Sequence, residues 1–135
     1  MRVLVDTSAL LGLYYARDQH HVRAMQIARN HRNSGAGYVG TTLILSELHT
    51  LMLHLRGQKN ARNVVAKLLD DQTHEWVAVS AELARDATTS WLTRFADQAF
   101  SLTDAVSFEV MRREKITHAF AFDRHFQIAG FELLR

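Results

Sequence analysis

The sequence predicts an α/β fold: a three-layer α/β/α arrangement around a central, mainly parallel sheet. Three observations carry that prediction. Short apolar runs of β character recur along the chain with segments of helical periodicity between them, the alternation that builds βαβ units with helices on both faces of a sheet. The chain has 135 residues, the size of one ordinary domain and short for two. Hydrophobic residues make up 47% and charged residues 22%, so a sizeable core is available and the composition is not that of a disordered chain. No repeat, low-complexity segment or composition break marks a linker, and residues 1–135 read as a single domain.

Each element has a local reason. RVLV (2–5) reads as a short buried strand, residues 7–15 as a helix, and DQHHVRAMQIARNHR (18–32) as a helical continuation after a kink near Asp18. Proline is absent, so helix stops must come from glycine and polar clusters. NSGAG (33–37) is the clearest such break and RGQKN (56–60) the second. YVGTT (38–42) is β-leaning. From Leu43, the residues Leu45, Leu48, Leu51, Met52 and Leu55 recur at three- and four-residue spacing and give a helix one apolar face. Ala61, Val64, Val65, Leu68 and Leu69 repeat the pattern within 59–70. EWVAVS (75–80) follows as a strand and AELARDATTSWLTRF (81–95) as a helix. TDAVSFEVMRRE (103–114) is helical, with basic residues in its last turn, where they suit the negative end of the helix dipole. HAFAFD (118–123) is apolar and β-like, and a short turn leads to FELL.

Composition excludes several classes of function. There are no cysteines, which rules out disulfides and thiolate metal sites and is compatible with a reducing cytosol; a cytoplasmic location is the expectation. No stretch approaches the roughly 18–20 uncharged apolar residues that a membrane span requires. The start, MRVLVD, meets an acid after three apolar residues and does not read as a signal peptide. The formal charge of +2 describes a mildly basic protein, so a nucleic-acid-binding patch requires its 16 Lys and Arg residues to cluster in space.

The carboxylates sort by position. Asp6 follows RVLV and Asp123 follows HAFAF, so both stand at the carboxyl end of an expected strand, where parallel sheets bind ligands. Glu47 lies in TTLILSELHTLMLHL, an otherwise apolar helix. Asp104 opens the helix of SLTDAVSFEVM. Each has a structural alternative. Asp6 can cap a helix that begins near Ser8. Asp104 can be a first-turn acid behind a Ser101 or Thr103 cap. Asp123 can end its strand in a turn. Glu47 is harder to place, because a carboxylate among leucines is costly unless it is paired, binds a cation or emerges at the helix edge.

Together the four acids say more than any one of them. Carboxylates that converge at one sheet edge repel each other and need positive charge to stay ionised. No Arg or Lys is reserved for them in the sequence, so a hard divalent cation with oxygen ligands, Mg²⁺ or Mn²⁺, is the natural partner. Such an ion orients a phosphodiester, activates bound water and neutralises charge on phosphoryl oxygens. The chemistry suggested is metal-assisted phosphodiester hydrolysis. A phosphohydrolase with Asp6 as covalent nucleophile fits less well, because Ser8 stands where such enzymes carry a second acid.

VLVDTSAL, SELHTL, SLTDAVSFEVM and FAFDRHF, in this order and spacing, resemble the PIN-domain ribonucleases, and especially the VapC-type toxins of bacteria and archaea. The resemblance covers essentially the whole chain. It implies a compact PIN-like domain with metal-dependent endoribonuclease activity, a cognate antitoxin protein as partner and a homodimer. The acidic quartet becomes Asp6, Glu47, Asp104 and Asp123. Asp6, Asp104 and Asp123 are the implied metal ligands, and Glu47 is implied to act through a metal-bound or attacking water. Ser8 looks like the family's supporting hydroxyl, although it is equally placed to cap the first helix. The competing function is a PIN module that binds RNA or a partner without strong catalysis.

Other conspicuous residues have structural readings. Trp76 and Trp91 sit among apolar residues and are expected in the core. His20 and His21 are adjacent, so they do not face one site on a helix, and they are expected at the surface. Arg112, Arg113 and Lys115 read as a solvated helix end. His125 is close enough to Asp123 in sequence to reach a substrate, but ranks below the acids.

Overall fold

The computed structural model describes residues 1–135. Its strands are β1 (Val3–Val5), β2 (Tyr38–Thr41), β3 (His74–Val77), β4 (His118–Phe120) and β5 (Glu132–Leu133). They form one sheet in the order β3-β2-β1-β4-β5. Every neighbouring pair is parallel, with Leu4 opposite Val39 on one side and Ala119 on the other. The middle strand is the most buried, since Val3, Leu4 and Val5 are all fully enclosed. A parallel strand covered on both faces needs such an unbroken apolar run.

The helices are α1 (Thr7–Tyr14), α2 (His21–Asn33), α3 (Thr42–Arg56), α4 (Gln58–Asp70), α5 (Ala81–Ala87), α6 (Leu102–Glu114) and α7 (His125–Ile128). The chain steps outward from β1 to β2 to β3, then returns across β1 to place β4 and β5 on its other side. Right-handed crossovers therefore put α1–α4 on one face and α5–α7 on the other. The packing agrees, because α1 contacts α2 and α3, and α3 contacts α4, while α6 contacts α5 and α7. The expected three-layer α/β/α architecture is the one observed.

Local signals account for most element ends. Thr41 caps α3 by accepting the Ile44 N–H at 3.3 Å, and Ser80 caps α5 by accepting the Leu83 N–H at 3.0 Å. Gly57 lies at φ 84°, between α3 and α4, inside RGQKN, where an L side chain would be strained. The residues expected on the apolar face of α3 divide in two. Leu45, Leu48 and Met52 are buried, together with Ile44, whereas Leu51 and Leu55 are exposed.

Two expectations are revised. The helix of 18–32 begins only at His21, because Asp18 turns the chain by accepting the His20 N–H at 2.9 Å. The single helix expected over 81–95 is α-helical to Ala87 and then widens into a π-helical turn, Thr88–Thr93. Trp91 in that turn is buried against Phe108, with ring centroids 5.2 Å apart. Phe108 also meets Phe100, Phe126 and Phe131, so an aromatic cluster anchors α6 under α7. Trp76 packs on the core over Gly40 and donates its indole N–H to the Leu68 carbonyl at 3.0 Å. Both tryptophans are structural, as expected.

Candidate active site at the carboxyl edge of the sheet

The strand order reverses direction between β1 and β4, and at such a switch point the loops leaving two adjacent strands diverge and open a crevice. Asp6 leaves β1 into this crevice and Asp123 leaves β4 into it. The backbone N–H of Asp6 still donates to the Phe120 carbonyl at 3.0 Å, so its side chain starts from a fixed point of the sheet.

Asp6 caps α1 and faces the crevice. Its Oδ2 accepts the Ser8 N–H at 3.2 Å and the Ser8 hydroxyl at 2.7 Å. Ser8 Oγ in turn accepts the Phe122 N–H at 3.0 Å, which ties the turn after β1 to the loop after β4. Ser8 is therefore not the cap it was equally placed to be: Asp6 caps α1, and Ser8, inside the first turn, donates to Asp6 and cross-links the two loops.

Asp104 reaches the same crevice from α6, where it completes a capping box. Ser101 Oγ accepts the Asp104 N–H at 3.0 Å, and Asp104 Oδ2 accepts the Ser101 N–H at 3.1 Å. The structural alternative for Asp104 is therefore correct without displacing the functional one. Asp6 and Asp104 are only 5% and 7% exposed.

Burial dominates the electrostatics. It pushes the Asp6 carboxyl up from 3.8 to about 6; the Ser8 hydrogen bonds oppose this, and the charges of Asp104 and Asp123 add to it. Asp6 and Asp104 are thus buried carboxylates, with the half-buried Asp123 close enough for its charge to act on Asp6. No Lys or Arg forms an ion pair with any of them.

The side chain that meets these acids is an imidazole. His125, at the start of α7, places Nδ1 2.9 Å from Asp104 Oδ2 and 3.4 Å from Asp123 Oδ1. Its backbone N–H donates to Asp123 Oδ1 at 2.6 Å. One ligand-type atom from each of Asp104, Asp123 and His125 lies within 4.8 Å of the other two. His125 ranked low in the sequence because spacing alone does not show that α7 turns its first residue back over Asp104. The available signal was the D-x-H pair of Asp123 and His125, a few residues beyond β4.

Glu47 stands apart. It is exposed on α3 and has no hydrogen bond or ion pair, and the buried leucines flank it without enclosing it. The argument from a costly buried carboxylate therefore fails for this residue, which takes the helix-edge alternative. Arg112 and Arg113 are not free to meet a phosphate: they hold the buried Glu109 at 2.6 and 2.7 Å, and Trp91 donates to the same carboxylate at 3.2 Å. Burial pushes Glu109 up, but these three donors outweigh it and hold the carboxyl below its ordinary value. His20, expected at the surface, is half-buried and stacks on Phe122 with centroids 4.3 Å apart and ring planes 3° from parallel.

A divalent cation fits this donor set. The oxygens are hard ligands, they repel one another, and one of them is buried and tethered only to a serine. Such a donor set at the carboxyl edge of a parallel sheet suits metal-assisted hydrolysis of a phosphodiester. The chain belongs to the PIN domain family, whose model matches residues 3–132. It is 33% identical over 134 residues, 98% of each chain, to a protein of Mycobacterium tuberculosis described as "23S rRNA-specific endonuclease VapC20". The crystal structure of Mycobacterium tuberculosis VapC20, described as a sarcin-ricin loop cleaving toxin, superposes with a TM-score of 0.85 at 31% identity, covering 96% of this chain and 95% of that one. VapBC2 from Rickettsia felis, bound to a DNA fragment from its promoter, matches at TM-score 0.68 and 12% identity, covering 98% and 97%, and shows the fold alone. No helix is long and apolar enough to cross a membrane.

Proposed function

We propose that this protein is a divalent-metal-dependent endoribonuclease and the toxin of a VapBC-type toxin–antitoxin pair. The observation that carries the reading is the convergence of Asp6, Asp104 and Asp123 at the β1/β4 switch point, in a chain similar over its whole length to an rRNA endonuclease. Asp6, Asp104 and Asp123 would hold Mg²⁺ or Mn²⁺. Once bound, the ion supplies Lewis-acid activation of the phosphodiester and of water.

The protein's own residues do the rest. Ser8 fixes the Asp6 carboxylate and locks it to the loop that carries Asp123. Ser101 fixes Asp104 through the capping box. Glu47 is exposed and uncommitted on α3, apart from the three acids, and its role through a metal-bound or attacking water rests on the family resemblance alone. Arg124, between Asp123 and His125, is exposed with no ion-pair partner and suits a substrate phosphate.

The similarity to VapC20 makes the 23S rRNA sarcin–ricin loop the first RNA to assay. A cognate antitoxin, dimerisation and cytoplasmic action belong to the same proposal. The exposed apolar residues Leu51, Leu53 and Leu55 of α3 and Leu69 of α4 would give a protein partner apolar surface to cover. The test is cleavage of ribosomal RNA by purified protein with Mg²⁺ or Mn²⁺, with EDTA, and by Asp6→Asn and Asp104→Asn. Cleavage by the wild type alone, abolished by EDTA, is expected. Equal cleavage by all three proteins would mean that these acids are not the active site.

A further inference from the structure

We infer that His125 is itself a metal ligand, through Nδ1, and that it biases the site toward a first-row transition-metal ion such as Mn²⁺ over Mg²⁺. This deepens the metal-dependent reading above and rests on it. A six-coordinate ion with bonds of about 2.1 Å sets neighbouring ligand atoms about 3.0 Å apart. His125 Nδ1 lies 2.9 Å from Asp104 Oδ2 and 3.4 Å from Asp123 Oδ1, so two of its separations already match neighbouring positions of such a shell, and ligand atoms of all three residues lie within 4.8 Å of one another.

A hydrogen bond at Nδ1 accounts for the 2.9 Å contact with Asp104 Oδ2 but not for the 3.4 Å approach to Asp123 Oδ1. Nδ1 carries at most one hydrogen, yet it stands close to oxygens of two different carboxylates. In the tautomer with its proton on Nε2, Nδ1 presents its lone pair to the space those oxygens share. The ring is held there from two sides. Phe100 packs edge-on to it, with centroids 5.2 Å apart and planes at 73°, and the backbone N–H of His125 is anchored on Asp123 at 2.6 Å. The side chain keeps 29% exposure, which leaves room for water in the remaining coordination positions. Mg²⁺ favours oxygen ligands throughout, whereas an imidazole among carboxylates shifts preference toward transition metals, of which Mn²⁺ is the one that also suits oxygen-rich sites.

The test is Mn²⁺ and Mg²⁺ binding to the full-length protein without RNA. Mn²⁺ is titrated by the loss of its free-ion EPR signal and Mg²⁺ by competition. Pulsed EPR of the Mn²⁺-loaded wild type is expected to show imidazole-type ¹⁴N coupling, which needs no variant. In His125→Asn that coupling should disappear. Mn²⁺ affinity should fall at least about tenfold, the size that even outer-shell changes cause. Mg²⁺ affinity should fall less than about threefold, because its preferred oxygen ligands remain. Circular dichroism and a thermal melt establish that the variant is folded. Mn²⁺ binding without nitrogen coupling, or an equal fall for both ions, overturns the inference and leaves the nuclease reading standing. Binding of neither ion to the wild type overturns both.

Discussion

Asp6→Asn should make the metal-free protein more stable at neutral pH. The Asp6 carboxyl is raised from 3.8 to about 6, chiefly by burial. A group of this kind binds its proton more tightly folded than unfolded. Between about pH 4 and pH 6 the folded state therefore holds more protons, and stability falls as pH rises through that window. The rise corresponds to about 3 kcal/mol, fully felt by about pH 7. Asparagine keeps an oxygen to accept the Ser8 N–H and hydroxyl while removing the buried charge and its repulsion with Asp104 and Asp123. The expected gain at pH 7.5 in EDTA is about 2–3 kcal/mol, or roughly 5–12 °C in Tm for a domain of this size. At pH 4.5 the gain should shrink to well under half. Added Mn²⁺ should reverse the order, because it binds and stabilises the wild type and not the variant. Calorimetric melts of both proteins at the two pH values, with EDTA and with Mn²⁺, measure all of this. A variant less stable than the wild type at pH 7.5 in EDTA would refute the reasoning, since it would mean that the ionised carboxylate is already compensated inside the metal-free fold.

Further outcomes follow from neighbouring contacts. Mn²⁺ binding to the metal-free protein should weaken as pH falls through about 6, because proton and cation compete for the buried Asp6 carboxylate; Mn²⁺ titrations on either side of that pH check the direction. Ser8→Ala removes both the Asp6 contact and the acceptor for the Phe122 N–H, and should cost about 1–3 kcal/mol in denaturant melts while lowering the cleavage rate. Ser101→Ala removes the α6 cap and should cost about 1 kcal/mol, read from the same melts. Gly40→Ala sets a Cβ into the Trp76 ring; the strain should cost about 1–3 kcal/mol and shift tryptophan fluorescence.

Much of the fold and part of the site were legible in the chain because they rest on local patterns. The alternation of apolar runs with helical periodicity specifies βαβ units, and the unbroken VLV run specifies a strand buried on both faces. Asp6 and Asp104 are readable at element starts because helix capping is a short-range rule, and both occupy capping positions. The widened turn at Thr88–Thr93 was not readable, since the aromatic cluster around Phe108 that surrounds it comes from distant segments. Periodicity also misjudged the surroundings of Glu47: a three-and-four spacing marks an apolar stripe but does not fix its width, and Leu51 and Leu55 proved exposed.

Caps, turns and periods act over a few residues, so the chain's local chemistry sets the elements and the acids at their ends. Which ends meet is settled by long-range packing. The order β3-β2-β1-β4-β5 brings Ser8 to Phe122 across 114 positions and sets His125 between Asp104 and Asp123. No sequence period encodes that pairing. It is selected when non-local strand contacts and the packing of α6 and α7 bury the same core, and the charges converge because the backbone they hang from has been placed.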